Sequence, residues 1–555
     1  MQFSFRNLSI YTIVSVVVLS ACLFKIADLD FWWHLKTGQV ILEEKQFQRT
    51  EIYSFTAKGR EYIDHEWLFQ TVMFSFYSML GPAGVIFLKA AVFVLIYVLT
   101  TRHLLRQDAP PSLVLAIQFL SLCGGLSRMI ERPEIFTALF FVTAFLILDY
   151  SLKSGRRSIL LVLPPLFALW SNFHAAVILG LVLLAAFSAG LLLEFLLNRN
   201  GYPAYYNISL KNQGILLLIL IACIAATGIN PYGFRVLSVP FELTSIIDSG
   251  LLNNDEWKRP SPFTLPFYYV CIFVVFTIAL VNFRRLSFVH FFLTAFFGYI
   301  SMRYIRNTGM FCWFMPLFVA PYVHRLSQYR IPLRAGAAAA FLALLYLLTY
   351  AFPFERGVGS ASYFPERIVN FTKQQNLQGN LINSYAFGGY LIWALYPERK
   401  VFIDGRNEVY LPLLQKIVRS RADSRQWNQL LGEYQIEYAL MNYIDDLEEV
   451  TYIKPDGGTS VVYMPFTETH FPRSRWALVF WDDTGMVLIR RKGQNSKLLS
   501  MEFSHVYPEG FHYMEQLVQN GKIPKQLAIT ELERKLREDP SCRRAKKLIN
   551  SLKML

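Results

Sequence analysis

Apolar residues along this chain gather into runs of membrane-crossing length. The runs lie at 9–26, 82–101, 110–127, 134–151, 157–171, 175–197, 213–229, 264–282, 286–301, 308–323 and 334–352. A bilayer core of about 30 Å asks for roughly 20 such residues per helix. The pattern predicts a polytopic α-helical membrane domain over residues 1–352 with about 11 transmembrane helices. The run at 157–171 is short and carries Pro164 and Pro165, which predicts a kinked or irregular segment. From 353 onward the spacing shortens. Strands are predicted at 380–384, 400–404, 436–441 and 461–463, with a hairpin at 476–481 and 485–490. Residues 389–393 fit a strand or a short helix, and Trp427 opens a helical stretch. Helical periodicity returns at 528–536 and 541–555. This predicts a soluble α/β domain over 353–495 and a helical tail over 496–555.

Composition supports the division. The 555 residues are 54% hydrophobic and only 17% charged, against about 25% charged in soluble proteins. Residues 1–352 carry 27 Lys/Arg and 17 Asp/Glu, whereas residues 353–555 carry 27 and 23. A purely soluble enzyme, a disordered chain and an outer-membrane barrel are excluded, because a barrel would show short alternating strands. The net charge of +14 does not point to nucleic acid, since most of the excess sits in the apolar part. With the spans threaded alternately, one side collects 13 basic residues, among them Arg102, Arg106, Arg156, Arg157, Arg199 and Lys211, against Asp108, Asp149 and Glu194. The other side holds 14 basic and 14 acidic residues. Basic excess marks the cytoplasmic face, so the N-terminus is expected inside and the C-terminal domain outside, in the periplasm of a Gram-negative cell. An alternative is lipoprotein cleavage before Cys22, at Leu19-Ser20-Ala21-Cys22, although the charge pattern works best with eleven spans. No pair of the six cysteines reads as a disulfide framework or a zinc site.

The outer loops carry the candidate chemistry. The first, over 27–81, opens Asp28-Leu29-Asp30-Phe31-Trp32-Trp33-His34 and continues to Asp64-His65-Glu66-Trp67. Carboxylates at a membrane surface act as general bases or hold a divalent cation. Trp faces stack on sugar rings, and His and Asp reach hydroxyls; an interfacial aromatic belt is the plainer reading of the tryptophans. Later loops hold Arg128 and Arg132, then His174, then a long loop over 230–263 with Asn254-Asp255-Glu256-Trp257, then Arg303 and Arg306. Outer arginines run against the positive-inside trend. Their forks suit a phosphate or pyrophosphate, with snorkelling to headgroups as the alternative. Lys89, within a span, needs a partner.

An outer Asp-x-Asp loop after the first span, some eleven spans and an outer C-terminal domain resemble the GT-C superfamily of multi-spanning glycosyltransferases. The stretch Asp28 to Gly38, with Gly388-Gly389-Tyr390-Leu391-Ile392-Trp393 and Phe402-Ile403-Asp404-Gly405-Arg406, is similar to a group of poorly characterised bacterial membrane proteins. The resemblance implies an integral inner-membrane glycosyltransferase that moves a sugar from a polyprenyl-phosphate-type carrier to a glycan, lipid or protein acceptor on the periplasmic side. Asp28 and Asp30 would be catalytic, with Asp30 favoured as the acceptor base. Arg128, Arg132, Arg303 and Arg306 would bind the donor phosphate. Trp32, Trp33, His34, Asp64, His65, Glu66 and His174 would line the substrate. Some members of the superfamily bind a divalent cation, Mg or Mn, for which Asp28 and Asp30 would be the ligands here. The chain lacks the Trp-Trp-Asp signature of oligosaccharyltransferases, which sets en bloc transfer to asparagine apart. Asp404 and Arg406 read better as a turn-stabilising ion pair than as site residues. A lipid-linked glycan transporter or flippase, a non-catalytic scaffold and a surface-polysaccharide ligase or polymerase are the alternatives. The clustering of polar residues at one membrane edge, rather than at mid-depth, favours the transferase over a transporter.

Overall fold

The computed structural model describes residues 5–197, 206, 210–248, 250, 255–326, 330–444, 447–453 and 459–555. Arg199 and Asn254 of the sequence reading lie outside them. The chain forms two compact units, one of residues 1–28, 37–48 and 63–361, the other of residues 29–36, 49–62 and 362–555.

The first unit is helical. Four of its helices are long and apolar enough to cross a membrane: Pro82–Leu105, Pro111–Arg128, Glu134–Ser154 and Ala175–Leu196. Apolar helices of 10–17 residues occupy six of the other expected runs, at Asn7–Cys22, Arg157–Phe173, Asn212–Thr227, Pro266–Val281, Phe288–Arg303 and Arg334–Thr349. Thr308–Val319 occupies the last. Every expected run is thus helical, while the helices with full crossing length number four among the described residues. Several breaks have local causes. Arg157–Val162 winds as a 3-10 turn before Leu163–Phe173, whose first turn takes Pro164 and Pro165, where a missing N–H costs nothing. Gly125 lets two helices close, since a Cβ there would lie 2.3 Å from the Trp313 indole nitrogen. Lys89 has its partner: its ammonium donates to Glu131 Oε1 at 2.6 Å, fully buried, and rests 3.2 Å above the Phe24 ring. The stretch expected as a first outer loop is largely helical, in Phe31–Glu44 and Trp67–Leu80.

The second unit carries a mixed four-stranded sheet. Its strands are β1 (Asn380–Asn383), β2 (Ile436–Asn442), β5 (Trp476–Trp481) and β6 (Gly485–Arg490), in the order β1-β2-β6-β5. β1 runs parallel to β2, and the other pairs are antiparallel. A separate ribbon pairs β3 (Glu448–Ile453) with β4 (Thr459–Met464). The strand expected at 400–404 does not form. Val401 makes one bridge with Ser54, and the Asn383 side chain takes the next groups, accepting from Phe402 N and donating to Ile403 O. A side chain has replaced a ladder there. Residues 389–393 are helical, within Gly388–Leu395. The tail forms helices Phe511–Gln519, Lys525–Glu538 and Arg543–Met554.

Candidate functional site

In the helical unit, three guanidinium groups and three carboxylates form one chain of ion pairs. Arg132 donates from Nε to Asp28 Oδ1 at 2.8 Å and from Nη1 to Glu256 Oε2 at 2.7 Å. Arg128 donates to Glu256 Oε1 at 2.8 Å and to Glu134 Oε2 at 3.2 Å. Arg306 donates to Glu134 Oε1 at 3.0 Å, and its guanidinium lies 4.3 Å from the centre of the Trp257 ring. Local backbone sets these groups up. Arg128 closes a 3-10 turn, and Glu134 opens the next helix, where its negative charge suits the helix dipole. Glu256 sits in a single turn, Asp255–Trp257. Burial alone would raise the Glu256 carboxyl, but Arg128, Arg132 and Arg306 outweigh it and hold the group well below the usual carboxylate range.

Beside this network lies a cavity of about 840 Å³. Its polar lining includes His65, His174, Glu134, Arg303, Arg306 and Asn307. Ile178, Leu179, Phe241 and Phe296 give it an apolar wall. Arg303 pairs with Asp248 at 3.1 Å, and Tyr304 donates to Asp248 at 3.0 Å.

His65, Glu66 and His174 form a second cluster at the same cavity. All three are buried, and one ligand-type atom from each lies within 4.8 Å of the others. Glu66 stands at the N-cap of Trp67–Leu80 but makes no side-chain cap bond. Its Oε1 lies 3.4 Å from His65 Nε2 and 3.7 Å from His174 Nε2. His174 holds extended backbone between two helical segments, Leu163–Phe173 and Ala175–Val177. Trp67 ties its own helix to Leu163–Phe173 by donating to Asn172 Oδ1 at 2.9 Å. Burial pushes the His174 imidazole down to about 4, against the pull of Glu66 and Glu134. Burial, reinforced by Glu66, pushes Asp64 up to about 7, although Gln70 donates to it at 2.7 Å.

The sequence-derived residues therefore fall into separate groups. Asp28, Arg128, Arg132 and Arg306 meet in one network, and His65, Glu66 and His174 meet in another, with Asp64 buried next to them in sequence. Asp30, Trp32, Trp33 and His34 belong to the sheet unit. There Asp30 packs so close to Gly405 that a Cβ on Gly405 would lie 1.9 Å from Asp30 Oδ1. Trp32 packs edge-on to Phe364 and Tyr390. Trp33 stacks on His34 with centroids 3.6 Å apart. Arg406 is buried between Asp404 and Glu51 in the same unit, and Tyr410 donates to Asp404. Glu134, Glu256 and Trp257 were not singled out as site residues. The signal that could have found them is the equal number of acidic and basic residues on the outer side, which leaves an acid for every basic residue there.

No protein-family model matches the chain, and no curated protein matches it by sequence. Solved structures do. The Archaeoglobus fulgidus oligosaccharyltransferase in its apo form aligns with a TM-score of 0.56 and 11% identity, over 85% of this chain and 79% of that one. The same enzyme tethered through a disulfide to an acceptor peptide containing the NVT sequon aligns with a TM-score of 0.53 and 12% identity, over 83% and 74%. The chain thus shares its fold with an oligosaccharyltransferase.

Proposed function

We propose that this protein is a GT-C-type membrane glycosyltransferase that takes a sugar from a polyprenyl-phosphate or polyprenyl-pyrophosphate carrier. The cavity carries the reading. It joins an apolar wall, suited to an isoprenoid chain, to Arg306 and Arg303, suited to the phosphate. The shared fold is consistent with transfer to an acceptor. Arg128 is buried and committed to two carboxylates, so it positions Glu134 and Glu256, while Arg306 and Arg303 meet the leaving phosphate and offset its growing charge. Asp28 is a buried carboxylate paired with Arg132 in the same unit, which suits it to accept a proton from the acceptor hydroxyl or amide; Asp30 is the second candidate. A cation at Asp28 would meet the Arg132 guanidinium, so a divalent ion fits poorly there. Residues 1–352 would form the membrane domain of a bacterial inner-membrane protein with the N-terminus inside, and residues 353–495 and 496–555 would be periplasmic.

Purified protein in liposomes, given a polyprenyl-phosphate sugar with a labelled sugar moiety, tests this. Release of the carrier phosphate with transfer of the label to an acceptor is expected, and loss of both in Arg306→Ala. Movement of the intact carrier between leaflets without bond cleavage would support a flippase instead. Absence of both events would overturn the reading.

A further inference from the structure

The cluster of His65, Glu66 and His174 brings two imidazole nitrogens and a carboxylate oxygen within 4.8 Å of one another. Each imidazole is anchored by its outer nitrogen. His65 Nδ1 lies 3.2 Å from the Ile63 carbonyl oxygen, which only accepts, so in the neutral ring Nδ1 carries the proton and Nε2 the lone pair. His174 Nδ1 lies 2.9 Å from Thr137 Oγ1, and Trp170 Nε1 donates to that same oxygen at 3.0 Å. Both Nε2 atoms thus face Glu66 Oε1 at 3.4 and 3.7 Å. Anchoring of the outer nitrogen to a carbonyl or hydroxyl is how proteins orient metal-bound histidines. The two rings lie nearly parallel, 21° apart, with centroids separated by 6.3 Å.

We propose that His65 Nε2, His174 Nε2 and Glu66 bind a zinc-class dication with one coordination position open to the cavity. In a tetrahedral zinc site with bonds of about 2.05 Å, neighbouring ligand atoms stand about 3.4 Å apart. The separations of 3.4 and 3.7 Å lie close to this, and the two imidazole nitrogens, within 4.8 Å of each other, would draw together by a side-chain movement. Two imidazoles and one carboxylate select a borderline metal; magnesium prefers oxygen ligands and octahedral geometry. Three protein ligands and an open position are the arrangement of zinc sites that bind a further ligand. His65 and His174 belong to the cavity lining, as do Arg306 and Glu134. The open position therefore takes an anionic oxygen from whatever fills the cavity, a phosphate oxygen above all. The metal site itself stands apart from the transferase reading; only the identity of that phosphate as a lipid carrier's rests on it.

The full chain in detergent, stripped with chelator and reloaded with Zn²⁺, should hold one zinc per chain by elemental analysis. His174→Gln should hold at least tenfold less. Reloading with Co²⁺ should give the intense visible absorption of a four-coordinate site, and inorganic phosphate should shift that spectrum. None of these readouts uses transfer activity, so a failed transfer assay with a positive cobalt spectrum would sink the transferase alone. No metal above background in the reloaded parent protein, or equal retention by His174→Gln and His65→Gln, overturns the site. A cobalt spectrum indifferent to phosphate overturns the open position. The parent protein decides the matter even if the variants fail to fold.

Discussion

Arg132 holds Asp28 through a 2.8 Å bond from its Nε, while its Nη1 reaches Glu256 at 2.7 Å. One planar group thus fixes two acids from distant loops in a set geometry, which the freely rotating donors of a Lys ammonium would not impose. The proposed base is thereby held in one orientation, and the guanidinium beside it weakens it as a proton acceptor. Asp28→Asn keeps the shape and removes the proposed base. It should lower kcat for sugar transfer by about 100-fold or more, with little change in KM for the carrier. Arg132→Lys should cost about tenfold in kcat/KM, because the charge remains and the fork does not. Steady-state transfer kinetics on both variants check this. Unchanged turnover in Asp28→Asn would move the role to Asp30.

Glu256 is the shared acid between Arg128 and Arg132. Its removal leaves two largely buried guanidinium groups short of charge. Glu256→Gln should lower stability by about 3 kcal/mol, seen as a lower midpoint of thermal unfolding. Asp255→Asn next to it should change stability by less than about 0.5 kcal/mol, because Asp255 is exposed and its ion pair is with exposed Lys258. Equal effects would mean that the network contributes nothing beyond surface charge.

Arg306 combines an ion pair to Glu134 with stacking on Trp257, at the cavity wall. Arg306→Lys keeps the charge but loses the flat face. It should raise KM for a lipid-phosphate donor by about tenfold, the worth of one charged hydrogen bond. The same change at Arg303, which is more exposed and pairs with Asp248, should cost less. Donor titration in liposomes distinguishes the two.

What could be read from the chain, and what could not, follows from the range of the interactions. Apolar runs are local, and all eleven are helical, because in each of them the residues of one segment decide the outcome. The helix Phe31–Glu44 was hidden because its opening Trp-Trp-His cluster masks any periodicity. Lys400–Asp404 was misread as a strand because its β-like residues are satisfied by the distant Asn383 side chain. The site depended on long-range pairing: Asp28 meets Arg132 across 104 residues, and Glu134 meets Arg306 across 172. No spacing rule reaches that far. The Asp28-Leu29-Asp30 pair looked like one motif, yet its two acids belong to different units.

Arg406 in the sheet unit gives a counterpart to Glu256. Burial disfavours its charge, but Asp404 and Glu51 outweigh that and hold it well above the ordinary arginine value. Arg406→Met should destabilise by about 3–5 kcal/mol, because it strands two buried carboxylates. The triple variant Arg406→Met, Asp404→Leu, Glu51→Leu should recover much of the loss, since apolar replacement of an entire buried ionic group is often tolerated. Chemical denaturation followed by tryptophan fluorescence reads both.

Asp64 and His174 titrate in opposite senses, and the pH dependence of stability should expose it. Asp64 is pushed up to about 7 from an ordinary 3.8. Between those values the folded chain holds a proton that the unfolded chain has lost, so this group makes stability fall as pH rises from about 4 to 7. His174 is pushed down to about 4 from 6.5. There the unfolded chain holds the extra proton, so this group makes stability rise over pH 4 to 6.5. Each slope is at most about 1.4 kcal/mol per pH unit, and the two oppose each other over most of the same window. Asp64→Asn removes the falling contribution. In chelator, its stability relative to the parent protein should therefore climb from pH 4 to pH 7 and then level off. A difference that stays constant with pH would mean that Asp64 ionises normally in the fold, and that its burial beside Glu66 carries no electrostatic cost.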